Sequence, residues 1–245
     1  MTATVALAGA AGGVGTTRLT VECGATLARA GHDVAVLDAA YATQGLAAYA
    51  DGQLGTDVTE VVTDDRELEA ALVEHPADTA GRLALAPARA PFERLARAKT
   101  AGAAERFEDR MAAAALSHDV VLVDTPPVAT NQAVAAATAA DRVAVVTVDS
   151  TRGADALART RGRLQDVGTA ADAVLANRTP EPEVVTEADA AVPPSPVRRA
   201  ADCPAVLPPD DAFAPAVAAA TERAVGVSLD LEFPEGGRLD GLLDG

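Results

Sequence analysis

The sequence predicts an α/β domain: a doubly wound, mostly parallel sheet with helices on both faces. Three observations predict it. Short β-type runs alternate with helix-length segments along the whole chain. Several of those runs are apolar throughout, such as Val120-Val121-Leu122-Val123 and Val143-Ala144-Val145-Val146. The first run, Val5-Ala6-Leu7-Ala8, leads directly into a glycine-rich loop and then a helix-like segment. Strands apolar on both sides suit a parallel sheet covered by helices. Such sheets place their ligands at the carboxyl ends of the strands.

Taken in order, strands are expected at 3–8, 33–38, 82–86, 119–124, 142–148, 172–176 and 204–207. Helices are expected near 17–30, 66–74, 92–116, 129–138, 152–166 and 212–225. A chain of 245 residues can bury one sizeable core, and residues 1–226 are read as that single domain. Two segments depart from the alternation. Residues 179–202 carry Pro180, Pro182, Pro193, Pro194 and Pro196 among acidic residues, which reads as an irregular surface excursion. Residues 227–245 are Gly-rich and acidic and read as a flexible tail.

Composition narrows the setting. The net charge is −16, and of the 20 basic residues only Lys99 is a lysine. Acidic, Ala/Val-rich chains nearly free of lysine resemble proteins of extreme halophiles. At ~1 M salt the Debye length is only ~3 Å, so the acidity speaks to solubility more than to a basic partner. Cys23 and Cys203 form no Cys-x-x-Cys pair, and His32, His75 and His118 lack metal-ligand spacing. A reduced, cytoplasmic protein without structural metal is expected. The first strand leaves no room for a signal peptide, and charges interrupt every long apolar run.

The chemistry is concentrated in Gly9-Ala10-Ala11-Gly12-Gly13-Val14-Gly15-Thr16-Thr17-Arg18. Strand, glycine loop and helix form the context of a phosphate cradle. Glycines let backbone N–H groups approach an anion, and the helix N-terminus adds partial positive charge. The ordinary hydrolase loop ends Gly-Lys-Thr, its lysine reaching the β- and γ-phosphates. Here that position is Thr16. The cradle is present and its charge is not.

Two families fit the loop. Gly9-x-x-x-Gly13-x-Gly15 resembles the nucleotide loop of short-chain dehydrogenases, which would place Asp38 on a ribose hydroxyl and make NAD the cofactor. That family also needs a Tyr-x-x-x-Lys pair, and neither Tyr41 nor Tyr49 has a lysine four residues on. At most a bare NAD-type fold follows from it.

In the other frame, Ala11-Gly12-Gly13-Val14-Gly15-Thr16-Thr17 resembles the deviant Walker A loop of the MinD/ParA family of P-loop ATPases. Further motifs then fall in the family's order. Leu37-Asp38-Ala39-Ala40 is similar to the Asp-x-Asp segment after the second strand, and Val120 to Pro127 to the Walker B strand and switch. Val174 to Arg178 is similar to the Asn-Arg strand end that meets adenine, and Val206 to Asp210 to the late strand end beside the base. The resemblance covers about 1–225. It implies that Gly12, Gly13, Val14, Gly15, Thr16 and Thr17 form the phosphate loop of an ATP site. It places Asn177, Arg178 and Pro208 on the adenine side, and Thr17, Asp38 and Asp124 around Mg²⁺.

Three departures fall on catalytic positions. The lysine that opens the family's loop, and reaches a partner's nucleotide across a dimer, is Ala11. The phosphate lysine is Thr16, and the second acid of Asp-x-Asp, which orients water, is Ala40. Losing a charge-stabilising donor costs ~3–4 kcal/mol in typical sites, and losing a water positioner ~10²–10⁴-fold. Together they predict turnover lowered at least ~10⁴-fold, without strict additivity. The resulting expectation is a pseudo-ATPase scaffold that helps position cell-division, polar, motility or chromosomal machinery, with weak ATP/Mg²⁺ binding. The alternative is an active ATPase that draws a cation from Arg18 or a partner, although Arg18 follows Thr17 on the helix and points elsewhere.

The expected partners are proteins, either a second copy or an intact member of the same family, with any recruitment to poles or membrane passing through them. Arg159, Arg161 and Arg163 read as a solvated helix face, and with Arg198-Arg199 they give little attraction for DNA at this net charge. The tail sets Asp230, Glu232, Glu235, Asp240 and Asp244 against Arg238 alone and is broken by Pro234-Glu235-Gly236-Gly237. It lacks the cationic amphipathic face of a membrane anchor.

Overall fold

The computed structural model describes residues 2–234 apart from 51, 53, 77 and 211. Eight strands form one sheet in the order β3-β4-β2-β5-β1-β6-β7-β8. They are β1 (Ala3–Gly9), β2 (Asp33–Asp38), β3 (Val73–Glu74), β4 (Arg82–Ala86), β5 (Val120–Thr125), β6 (Arg142–Val148), β7 (Ala173–Asn177) and β8 (Ala190–Val192). All neighbours are parallel except β3 on β4. The doubly wound α/β architecture expected from the alternating pattern is the observed one.

Helices cover both faces: α1 (Thr16–Arg29), α2 (Val58–Asp64), α3 (Phe92–Ala98), α4 (Ala101–Ser117), α5 (Asn131–Ala139), α6 (Thr151–Asp166) and α7 (Phe213–Val225). Because side chains alternate across a strand, β1, β2 and β5 each feed two cores. Val5, Leu7, Val34, Val36, Val120 and Leu122 pack with α1 and α7. On the other face Ala35, Leu37, Val121 and Val123 pack with α2 and α4, while Ala6, Ala8, Val143 and Val145 meet α6. Each fully buried Val or Leu contributes about 1.5–3 kcal/mol.

Three expected elements differ. Residues 204–207 are not a strand: Pro204 and Pro208 bracket them without N–H groups for a ladder, and the amides of Ala205 and Val206 donate to the buried Glu22 carboxylate at 2.9 and 3.1 Å. The expected helix over 66–74 is a short 3-10 turn, Leu68–Ala71, followed by β3, whereas the helix before it, α2, forms where none was expected. The long helix expected over 92–116 is interrupted at Lys99-Thr100, where the Thr100 hydroxyl caps α4 through the amide of Ala103.

The excursion after β7 is anchored to the domain. Asp149 accepts hydrogen bonds from the amides of Glu183, Val184 and Val185 at 2.8–2.9 Å, which hold its carboxyl below the usual range. β8 then extends the sheet through Ala190 and Val192. Past α7, Val227, Leu229 and Phe233 pack against the core, and Arg29 lies over the Phe233 ring at 4.7 Å. The rest of the segment read as a flexible tail, 235–245, lies outside the described residues. Among the described residues no helix is long and apolar enough to cross a membrane.

The amino ends of the strands share one device. Asp119, Asp141, Asp172 and Asp189 each accept the first free amide of the adjoining strand, at Asp33, Thr4, Val143 and Val174, at 2.8–2.9 Å. Side-chain carboxylates close that edge of the sheet.

Candidate functional site

At the carboxyl edge, β1 ends in the glycine loop and α1 begins beneath it. Gly13 and Gly15 have φ of +80° and +90°, a region that favours glycine. A Cβ on Gly15 would also come within 2.6 Å of Asn177 Nδ2. The amides of Gly12, Gly13, Val14, Gly15, Thr16 and Thr17 donate to no acceptor among the described residues, and the first turn of a helix has none to offer. Five of the six residues, all but the buried Val14, line one cleft of about 440 Å³ together with Ala40, Gly45, Tyr49, Asp124, Pro126, Pro127, Arg18 and Arg178.

The two threonines face different ways. Thr16 lies inside the curl of the loop, its hydroxyl 2.7 Å from where a Cβ on Gly9 would stand. Thr17 packs on Gly45, and its hydroxyl lies near enough to the Asp124 carboxylate to favour the charged form. Asp38 and Asp124 sit side by side on β2 and β5, both buried. Burial first, then the neighbouring Asp124 charge, pushes Asp38 up to about 8; burial pushes Asp124 to about 6, opposed by the nearby Thr17 hydroxyl.

Their roles separate at the level of single oxygens. Asp38 accepts the amides of Ala40 at 2.7 Å and Ala88 at 3.1 Å, one on each oxygen, so it ties the β2 loop to the β4 loop. A ribose hydroxyl has no route to this buried group. Asp124 Oδ2, in contrast, is buried without a partner and belongs to a residue lining the cleft. An orphaned carboxylate oxygen beside a threonine hydroxyl suits a hard divalent cation. Asp124 and Thr17 therefore fit Mg²⁺ directly, and Asp38 fits only as a buried support behind them.

A second cavity of about 240 Å³ opens on the other side of Gly15, lined by Arg18, Leu19, Glu22, Asn177, Arg178, Val192, Pro194, Ser195, Val197, Arg198 and Phe213. The two cavities share Gly15, Arg18 and Arg178. Asn177 is committed to the scaffold: Nδ2 donates to the carbonyl of Val14 at 2.9 Å, and Oδ1 accepts the Arg178 amide at 3.0 Å. Arg18 donates to Ser195 Oγ at 2.7 Å and to Glu22 at 3.4 Å. Glu22 is fully buried, and its burial raises its pKa against the bonds that lower it.

Most of the sequence-derived residues are thus brought together, while Val14 and Asp38 are buried behind the cavities and line neither. Gly12, Gly13, Gly15, Thr16, Thr17 and Asp124 line the first cleft, and Asn177 and Arg178 line the second. Pro208 joins neither; it borders a separate hollow with Arg29, His75, Cys203 and Pro209. Glu22 holds residues 205–206 inward against α1, which leaves Pro208 turned to the surface. Sequence reasoning missed Ser195 and Glu22. An acid four residues after Arg18, on the apolar side of a helix, was the available signal for the latter.

A family model described as an AAA domain matches residues 2–173. A comparison with curated protein sequences gave no match. Among solved structures, the MinC:MinD cell division complex of Aquifex aeolicus aligns with TM-score 0.73 and 22% identity over 94% of this chain and 98% of that one. The septum site-determining protein MinD of Pyrococcus horikoshii, complexed with Mg-ADP, aligns with TM-score 0.72 and 20% identity over 89% and 95%. Cobyrinic acid a,c-diamide synthase of Mycobacterium smegmatis, with ADP and magnesium, gives TM-score 0.60 and 28% identity over 73% and 75%.

Proposed function

The chain belongs to the AAA domain family and has the P-loop fold of the MinD structures, and from that premise we propose that it is a MinD/ParA-like positioning protein acting as a scaffold of low turnover. One observation carries this reading. The loop keeps six open amides and the cleft keeps Thr17 and Asp124, while Ala11, Thr16 and Ala40 stand where the family's loop and switch bear charge.

The residues divide the work accordingly. The loop amides bind phosphate oxygens, and Thr17 and Asp124 would hold Mg²⁺, which when bound neutralises charge between phosphates. No carboxylate at position 40 orients water. ATP affinity is therefore expected in the mM range rather than μM, each tenfold being ~1.4 kcal/mol. Mg-ATP turnover by the full chain, at a salt concentration that keeps it folded, is expected at least ~10⁴-fold below an intact family member. Comparable turnover would overturn the scaffold reading. The alternative use of Arg18 as the catalytic cation is disfavoured by its engagement with buried Glu22 and Ser195.

Partners follow the same logic. The Aquifex MinD structure is a complex with MinC, and protein partners are proposed here too. Without a lysine at position 11, a nucleotide-switched homodimer lacks its contact across the subunits. Light scattering should give the same mass with and without Mg-ATP; a clean monomer-to-dimer shift of the protein alone would count against the proposal.

A further inference from the structure

The cleft must find positive charge somewhere if a triphosphate is to stay in it. Its lining offers two cations, Arg18 and Arg178. Arg18 is already neutralised by the fully buried Glu22 and fixed to Ser195. Arg178 is in the opposite condition. Its side chain has no hydrogen bond or ion pair among the described residues, in a chain of net charge −16. Its guanidinium lies over Gly15, with Nη2 3.3 Å and Nε 3.7 Å from where a Cβ would stand.

That position is built. Arg178 has φ of +66°, a left-handed conformation costing about 1–2 kcal/mol for a residue with a Cβ. Asn177 holds it there, accepting the Arg178 amide while donating to Val14 inside the glycine loop. An outlier kept in place by a bond to the phosphate cradle invites a functional explanation. The same cleft contains the unpartnered, buried Asp124 Oδ2, an independent sign that it receives a polar ligand.

We infer that Arg178, reaching in from the end of β7, supplies the phosphate-neutralising charge that the loop lost at positions 11 and 16. Its planar fork can bind phosphate oxygens in pairs, and it lines both cavities beside the glycine loop. This makes Arg178 a phosphate residue rather than a base residue. The assignment rests on the nucleotide reading above.

The test is a ligand-observed NMR titration of the full chain with Mg-ATP, tripolyphosphate and adenosine, using Arg178→Gln, Arg178→Lys and, as a charge control at the opposite edge of the sheet, Arg223→Gln. Arg178→Gln should weaken ATP and tripolyphosphate at least ~10-fold, the scale of one charge-assisted pair, and change adenosine less than ~2-fold. Arg178→Lys should recover most of the loss, and Arg223→Gln should match the native chain. Unchanged ATP affinity in Arg178→Gln overturns the assignment, and so does an equal loss for ATP and adenosine, which would return Arg178 to the base side. If the native chain binds none of the three ligands, the nucleotide reading itself fails and the assignment falls with it.

Discussion

The two edges of the sheet treat the same chemical group in opposite ways. At the amino edge, Asp119, Asp141, Asp172 and Asp189 each close an amide of the next strand. At the carboxyl edge, six consecutive amides from Gly12 to Thr17 are left open. A free amide costs about 1–3 kcal/mol when buried unpaired, and the chain avoids that cost at one edge while leaving the other to water or a ligand. The abundance of Asp in this sequence is thus partly architectural. Where the acids cap strands they stay away from the cleft, whose one lining carboxylate among the described residues is Asp124.

The comparison can be broken most sharply at Gly15. Alanine there would have to hold φ near +90° and would press within 2.6 Å of Asn177 Nδ2. Backbone strain of this kind costs about 1–3 kcal/mol, so urea unfolding of Gly15→Ala should show a loss near the top of that range. A variant as stable as the native chain would mean that the loop relaxes without Asn177.

The buried pair gives a pH test of the same edge. Asp38 and Asp124 have raised pKa values, to about 8 and about 6, so the folded state binds protons more tightly than the unfolded one. Their contribution is complete below the unfolded value of about 3.9 and is lost as the pH rises through about 6 and then about 8. In buffers free of divalent cations, the Tm difference between Asp124→Asn and the native chain should therefore move in favour of the variant between pH 5 and pH 8. A difference independent of pH would show that the pair is already relieved in the folded protein.

Restoring charge sharpens the contrast instead. Thr16→Lys should tighten ATP about tenfold, equivalent to ~1.4 kcal/mol, because the open amides and Thr17 already await the phosphates. No gain by equilibrium dialysis would indicate that the loop has diverged beyond one side chain. The smallest effect is expected at the amino edge. Asp172→Ala should cost about 1 kcal/mol in unfolding free energy, the typical value of one hydrogen bond, and leave nucleotide affinity unchanged.

Much of this was legible in the sequence, for identifiable reasons. β1, β2, β5 and β6 announce themselves as unbroken apolar runs, and the loop's glycines mark the site directly. β8 was hidden because Ala190-Ala191-Val192 is short and lies between prolines and acids. α2 was missed because Val58-Thr59-Glu60-Val61-Val62-Thr63 is rich in β-branched residues, although Asp57 caps it through the amide of Thr59. Within the site, residue types were readable but bond directions were not. Nothing in Asn177-Arg178 tells that the amide turns to Val14 and leaves the guanidinium over Gly15; that follows only from where β7 ends relative to α1.

Asp149 grips the excursion by main-chain amides alone. Of the side chains at 183–185, Val185 also attaches it, buried in the core beside α6, while Glu183 and Val184 are exposed; those two positions can drift in sequence as long as one carboxylate, the three N–H groups and an apolar residue at 185 persist. Proline at position 184 or 185 is the substitution such drift must avoid, since it deletes a donor. A region that looks like the least constrained part of the chain thus hangs on a fixed hook and a buried valine.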